Sequence, residues 1–161
     1  MARERTPDNE GSARRPDAGR LAAYRAFITA HAAIIAQLER EMAAAGVIPL
    51  TWYDVLLELY EASERRLRLH ELARRVVLSR SGLTRTVDRL AAAGLLRRES
   101  DPLDRRGAFA ILTTEGHAAL RQAWPIYARG IAAYFTRHLD EEEARALTAI
   151  FERIRAAAQE S

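Results

Sequence analysis

The sequence predicts a mainly α fold with one short β-hairpin set between two groups of helices, and three observations carry this. An apolar seam runs through Leu21, Tyr24, Ile28, His31, Ile35, Leu38 and Met42 in steps of three and four, the spacing of one face of a long helix. Residues 95–99 and 108–113 alternate with period two around a polar loop containing Asp101, Pro102, Asp104 and Gly107, which is too long for a two-residue turn. Helix stop and start signals punctuate the rest: Gly46 and Gly94 at ends, Ser79, Thr113 or Thr114, and Asp140 at beginnings.

Taken in order, residues 1–19 are polar and contain Pro7 and Pro16, the composition of a disordered arm. Residues 20–46 form the long seamed helix, longer than a small domain buries alone. Thr51 is placed to cap the next helix through the amide of Asp54, with Leu50 and Val55 as a hydrophobic staple. That helix is apolar nearly all round and therefore central. Residues 66–69 read as a short strand and 70–76 as a short helix. Ser79 caps a further helix over 80–93, whose inner face is Leu83, Val87 and Leu90. After the hairpin, a long helix carries Leu120, Trp124, Tyr127, Ile131 and Tyr134, with Pro125 inside it expected to kink it near Arg121. Asp140 and Glu143 form a capping box for the last helix, whose stripe is Leu147, Ile150, Phe151 and Ile154.

Composition narrows the function. The chain has 161 residues and no cysteine, which excludes a disulfide scaffold, a thiolate metal site and a cysteine nucleophile. No metal site is expected either, because His117 and His138 lack ligand spacing. No single apolar run approaches the ~20 residues of a membrane span. Residues 1–20 lack a signal-peptide core, so the expected setting is the cytoplasm, at the nucleoid, without a membrane partner. All 25 basic residues are arginine, against 22 acids, for a net charge of +3; with abundant alanine, this usage fits a GC-rich genome. Position matters more than the total. Residues 62–109 hold 12 arginines and 6 acids, and the remainder is net negative. A basic middle suggests a surface for a polyanion, the alternative being a solvated face.

The order helix, short helix, turn, capped helix, basic hairpin is that of a winged helix-turn-helix, in which the second helix of the pair enters the major groove. Small Ala73 allows close helix crossing. The outer face of the capped helix carries Ser79, Arg80, Ser81, Thr84, Arg85, Asp88 and Arg89. Arginine can bond guanine bidentately, and serine and threonine reach base edges or phosphates. An ordinary amphipathic helix with a solvated polar face is the alternative, and the arginine-rich hairpin speaks against it.

The hairpin segment Asp104-Arg105-Arg106, five residues, then Leu112-Thr113 and Gly116 resembles the wing signature of the MarR (multiple antibiotic resistance) family of bacterial regulators. Residues 78–95 likewise resemble that family's recognition helix, and the resemblance spans about residues 20–158. It implies a homodimer whose first and last helices interlock. Residues 20–46 and 114–161 would then be dimerisation helices, and 47–113 the DNA-binding domain. It also implies a wing arginine in the minor groove: Arg106 matches that position, Arg105 can share the task, and Asp104 would orient them. Two-fold symmetry implies a pseudo-palindromic double-stranded operator.

The resemblance further implies a repressor released by a small aromatic or phenolic effector bound between the dimerisation helices and the DNA-binding domain. Its candidate wall is His31, Trp52, Tyr53, Trp124 and Tyr127, each of which has core packing as the alternative. The absence of cysteine separates the chain from the peroxide-sensing branch. No cofactor and no catalytic activity are expected, since no Gly-rich phosphate loop or nucleophile–base pair is present and only helices follow the wing. A winged-helix dimer serving as a protein-interaction module without DNA binding is the competing reading.

Overall fold

The computed structural model describes residues 17–76, 78–101 and 107–159. The chain forms two compact units, Met1–Ala33 and Ile34–Ser161. The described part of the first unit belongs to helix α1 (Ala18–Ala44). Asp17 caps α1, its carboxylate accepting from the Arg20 amide at 2.9 Å. Tyr24, Phe27 and Ile28 are exposed, and the Phe27 and His31 rings lie 6.2 Å apart. No unbroken apolar run reaches membrane length, yet α1 is long and apolar enough by composition, with an 18-residue window of mean hydropathy 1.3. Alanines between the larger apolar residues raise that mean. A single such helix is weak evidence for a membrane.

The second unit contains the end of α1, then α2 (Leu50–Glu61), β1 (Arg66–Arg68), α3 (Leu69–Arg75), α4 (Arg80–Ala92), β2 (Leu96–Ser100), β3 (Ala108–Leu112), α5 (Thr114–Tyr134) and α6 (Glu141–Gln159). Gly46 and Gly94 both adopt positive φ, 66° and 73°, as the glycine after a helix must when the chain turns left-handed. The start of α2 differs from expectation. Pro49, not Thr51, occupies the cap position, and no side chain bonds the first turn. Proline presets φ near the helical value and its carbonyl accepts from Trp52 and Tyr53 at 2.9 Å each. Thr51 therefore lies inside the first turn, and Leu50 is a buried helix residue rather than half of a staple.

The other caps follow the sequence. Ser79 Oγ accepts from the Gly82 amide at 3.1 Å. Thr113, rather than Thr114, caps α5 by accepting from the Gly116 amide at 3.0 Å. At α6 the Glu143 amide donates to Asp140 Oδ1 at 2.8 Å while the Asp140 amide donates to Glu143 Oε2 at 2.9 Å, the reciprocal capping box. Helix α5 runs through Pro125 as one element; the ring nitrogen has no hydrogen to give the Arg121 carbonyl.

The strands form one antiparallel sheet in the order β1-β3-β2. Register places Arg98 opposite Ala110 and Leu96 opposite Leu112, so these four share the face turned to the core. The other face carries Arg66, Arg68, Arg97, Glu99, Phe109 and Ile111. Phe109 thus meets arginines, and Ala110 and Leu112 join the core cluster of Leu56, Leu59, Leu67, Leu72, Leu83, Val87, Leu90 and Leu96. Helix α5 approaches the end of α1 so closely that a Cβ on Gly130 would fall 2.4 Å from Leu38 Cδ2.

The tightest contact is at Gly116. A Cβ there would lie 1.9 Å from the Leu95 carbonyl oxygen, a backbone atom that cannot swing aside. Thr113 Oγ1 donates to the Gly94 carbonyl at 2.7 Å and the Thr113 amide donates to the Leu95 carbonyl at 3.3 Å. The exit of α4, the root of the hairpin and the start of α5 are thereby one junction. Gly116→Ala is expected to lower unfolding free energy by about 3 kcal/mol in urea titration, at the upper end of overpacking. Gly46→Ala, where the added methyl meets open space, should cost only the left-handed backbone penalty of roughly 1 kcal/mol. Equal losses would show that Gly116 is not a packing constraint.

Candidate nucleic-acid interface

Helix α4 is fixed from within and open outward. Leu83, Val87 and Leu90 are buried. Ser81, Thr84, Arg85, Asp88 and Arg89 are exposed on the other side. Ser79 is exposed as well, with its oxygen engaged as the helix cap. Arg85 Nε donates to the Ser81 carbonyl one turn back at 3.3 Å, which lays its stem along the helix. Arg80 opens α4, but its side chain, like Asp104, Arg105 and Arg106, lies outside the described residues.

The hairpin is tied to the helices by ion pairs that sequence reasoning did not find. Asp101 stands at the base of the wing, where its amide donates to the Gly107 carbonyl at 3.0 Å. Its side chain is only 2% exposed and meets Arg68 Nη2 of β1 at 2.8 Å. The Arg68 amide in turn donates to Glu71 of α3 at 3.2 Å. One arginine therefore links the wing base to the first helix of the helix-turn-helix pair. Arg66 and Arg68 lie over the Phe109 ring, 3.8 and 5.5 Å from its centroid, within cation–π range. On β2, Arg97 pairs with Glu99 at 3.0 Å and Arg98 with Asp88 of α4 at 2.7 Å. Only the alternation of β2, placing residues 97 and 98 on opposite faces, hinted at these partners. A groove of about 400 Å³ lies between α3 and α4, floored by Leu69, Ala73, Leu83 and Val87.

The residues expected to line an effector site fall into three groups. Tyr53 is fully buried and stacks on Tyr127, ring centroids 4.5 Å apart. Trp124 lies 6.3 Å from Tyr127 and is 56% exposed. Trp52 is half-buried against the core of the second unit. His31 belongs to the first unit and is exposed. The Tyr53 hydroxyl is buried and has no hydrogen-bond partner among the described residues. Burial, then Tyr127, Asp54 and Glu61, pushes its pKa up to about 12. Burial, then Asp54, raises Tyr127 as well. Among the described residues no group of three His, Asp or Glu side chains is arranged to hold a metal.

A helix pair anchored by buried leucines, an outward polar face on its second helix and a braced basic hairpin define a winged helix-turn-helix DNA-binding regulator of transcription. The comparisons with known proteins agree. The MarR family model matches residues 48–107. The uncharacterised HTH-type transcriptional regulator YkoM of Bacillus subtilis is 32% identical over 120 residues, covering 74% of this chain and 76% of its own. The HTH-type transcriptional repressor YetL of the same organism is 33% identical over 105 residues, 63% of each chain. Sco3205, a MarR family transcriptional regulator from Streptomyces coelicolor solved in complex with DNA, has a TM-score of 0.78 at 33% identity, over 86% of this chain and 87% of its own. The chain belongs to the MarR family.

Asp54, which follows Tyr53 in sequence, has its carboxyl pushed from 3.8 up to about 6 by burial first and Glu58 second. The folded protein thus holds this proton more tightly than the unfolded chain. The stability it contributes is complete below pH 3.8 and is lost as pH rises through about 6. Asp54→Asn is expected to raise the urea midpoint at pH 7.5 by on the order of 1–2 kcal/mol of stability and to leave it unchanged near pH 4. A parallel pH profile in the two proteins would remove Asp54 as the titrating group.

Proposed function

We propose that the protein is a homodimeric, sequence-specific repressor acting at a pseudo-palindromic DNA operator. In this reading α4 of each protomer enters the major groove, presenting Ser79, Arg80, Ser81, Thr84, Arg85 and Arg89. Arg106, assisted by Arg105 and oriented by Asp104, reaches the minor groove, whose narrow AT-rich stretches attract arginine. The observation that carries the reading is the exposed polar face of α4 opposite a fully buried apolar one. The repressor sense follows the relative YetL, which bears that name.

Residues 47–113 are the DNA-binding domain in this reading, and 20–46 and 114–161 supply the dimer contact. Support for the dimer is exposed apolar surface: Tyr24 and Ile28 on α1, and Ile150 and Ile154 on α6. Of the expected arm 1–19, residues 1–16 lie outside the described residues, and Ala18 and Gly19 belong to α1, behind the Asp17 cap. Release by a small aromatic effector is supported by the cluster of Tyr53, Tyr127 and Trp124, with the Tyr53 hydroxyl, unpartnered among the described residues, as its polar feature; Trp52 completes the proposed wall. The protein works in the cytoplasm, at the nucleoid, without a cofactor or a catalytic step.

The test uses a duplex selected by the wild-type protein from a randomised pool. Arg106→Ala is expected to weaken binding about tenfold or more, and Arg85→Ala to relax base preference more than it weakens binding to mixed-sequence DNA. Unchanged affinity for Arg106→Ala at moderate salt would overturn the wing contact, and equal losses on both duplexes would reduce Arg85 to a phosphate contact. Light scattering at micromolar concentration should give twice the 18.1 kDa chain mass; a monomer would contradict the dimer.

A further inference from the structure

Asp88 is an acid in the middle of a surface otherwise suited to a polyanion. It follows Ser81, Thr84 and Arg85 at spacings of seven, four and three along α4, the spacings that share one helical face. Its Oδ1 accepts from Arg98 Nη1 at 2.7 Å, and the two side chains remain 53% and 43% exposed. Arg98 also borders, with Thr84 and Arg74, the groove between α3 and α4, which puts its guanidinium beside the recognition face. Stability does not explain the pair, because an exposed ion pair contributes little. For DNA binding in general it is unfavourable twice over. The carboxylate repels phosphate, and it occupies a cation standing where phosphate approaches.

We propose that Asp88 is a specificity-determining residue that acts by exclusion, masking Arg98 until the recognition helix meets its proper sequence. A carboxylate accepts hydrogen bonds and cannot give them. Against guanine and thymine edges it faces acceptors and gains nothing. Against an exocyclic amino group, that of cytosine above all, it finds a donor. There the carboxylate exchanges Arg98 for the base, and the released guanidinium turns to the backbone. On other sequences the arginine stays masked and the acid stays repelled. The selectivity comes from weakening wrong complexes, not from strengthening the right one. This inference rests on the reading of α4 as the DNA-contacting helix.

The experiment compares wild type, Asp88→Asn, Arg98→Ala and the double variant on a mixed-sequence duplex and on the duplex selected by wild type. Both residues are half-exposed, so thermal midpoints serve as the folding control. Asp88→Asn is expected to bind the mixed-sequence duplex about fivefold tighter near 0.1 M salt, with a salt slope steeper by about one unit per protomer. Its affinity for the selected duplex should rise less or fall, so the ratio between the duplexes shrinks. The double variant should lose the gain and the extra slope. A gain that persists without Arg98 would overturn masking, as would an Asp88→Asn protein no tighter on mixed-sequence DNA. Wild-type protein that binds neither duplex would overturn the DNA-contacting reading of α4 itself, and this inference with it.

Discussion

The carbonyl oxygen of Leu95 lies 1.9 Å from where any side chain on residue 116 would begin, and the rest of the DNA-facing half is arranged around that contact. Three elements end or start within a few residues of it. Gly94 closes α4, Leu95 leads into β2, and Thr113 opens α5. Thr113 holds the junction with its amide and its hydroxyl, and the hydroxyl oxygen is also the cap of α5. The recurrent pattern Leu-Thr-x-x-Gly thus has a plain physical content. Leu112 joins the core, the threonine bridges and caps, and the glycine admits a backbone oxygen where a methyl group would not fit. Because the hairpin and α5 share this root with α4, a tilt of one strains the others. The hairpin and α4 are set relative to each other by it.

Charge is distributed on that frame in a way the net value conceals. Among the described residues, four of the arginines between 62 and 109 have carboxylate partners: Arg68 with Asp101, Arg75 with Glu58, Arg97 with Glu99 and Arg98 with Asp88. Three of these pairs cross between elements of the winged helix-turn-helix, from β1 to the wing base, from α3 to α2 and from β2 to α4, and the first and last bear on the hairpin. They differ in kind. The Asp101 carboxylate is buried, so removing Arg68 would leave a charge with little solvent, and the pair acts as a brace. The Asp88 pair is open to water and can be exchanged for another partner at small cost. Brace and exchangeable pair stand at opposite faces of the same three-stranded sheet, because alternate residues of a strand point opposite ways.

The seam between α2 and α5 has another character. It holds two stacked phenols, Tyr53 buried with its hydroxyl unpartnered among the described residues and Tyr127 half-buried, near a carboxyl whose proton is held well above its ordinary range. The stacking is favourable, whereas the unpartnered hydroxyl and the carboxyl, which must ionise at neutral pH, each lower stability there. Sequence spacing places Tyr53 and Tyr127 on the apolar faces of two helices, and from that alone core packing and a binding wall are equally good descriptions. Their stacking, and the exposure of Trp124 beside them, became legible only with the helices packed.

The sequence by itself determined the elements and their polarity. Caps at Ser79, Asp140 and Glu143, left-handed glycines at 46 and 94, and apolar periods of three-to-four and of two are local properties written in a few neighbouring residues, so they could be read without a structure. The local reading failed at Pro49 against Thr51, where two adjacent residues offered competing starts and the preset backbone of proline prevailed. It also left open whether residue 113 or 114 capped α5, because only the partner carbonyl of Gly94 decides it. What the tertiary structure alone decided are the contacts that join residues far apart in the chain: Arg68 with Asp101, Gly116 against Leu95, Tyr53 on Tyr127. An arginine's charge is fixed by its chemistry, but its partner is fixed by which strand face it occupies and what lies across from it. That depends on register and packing, which no local pattern encodes.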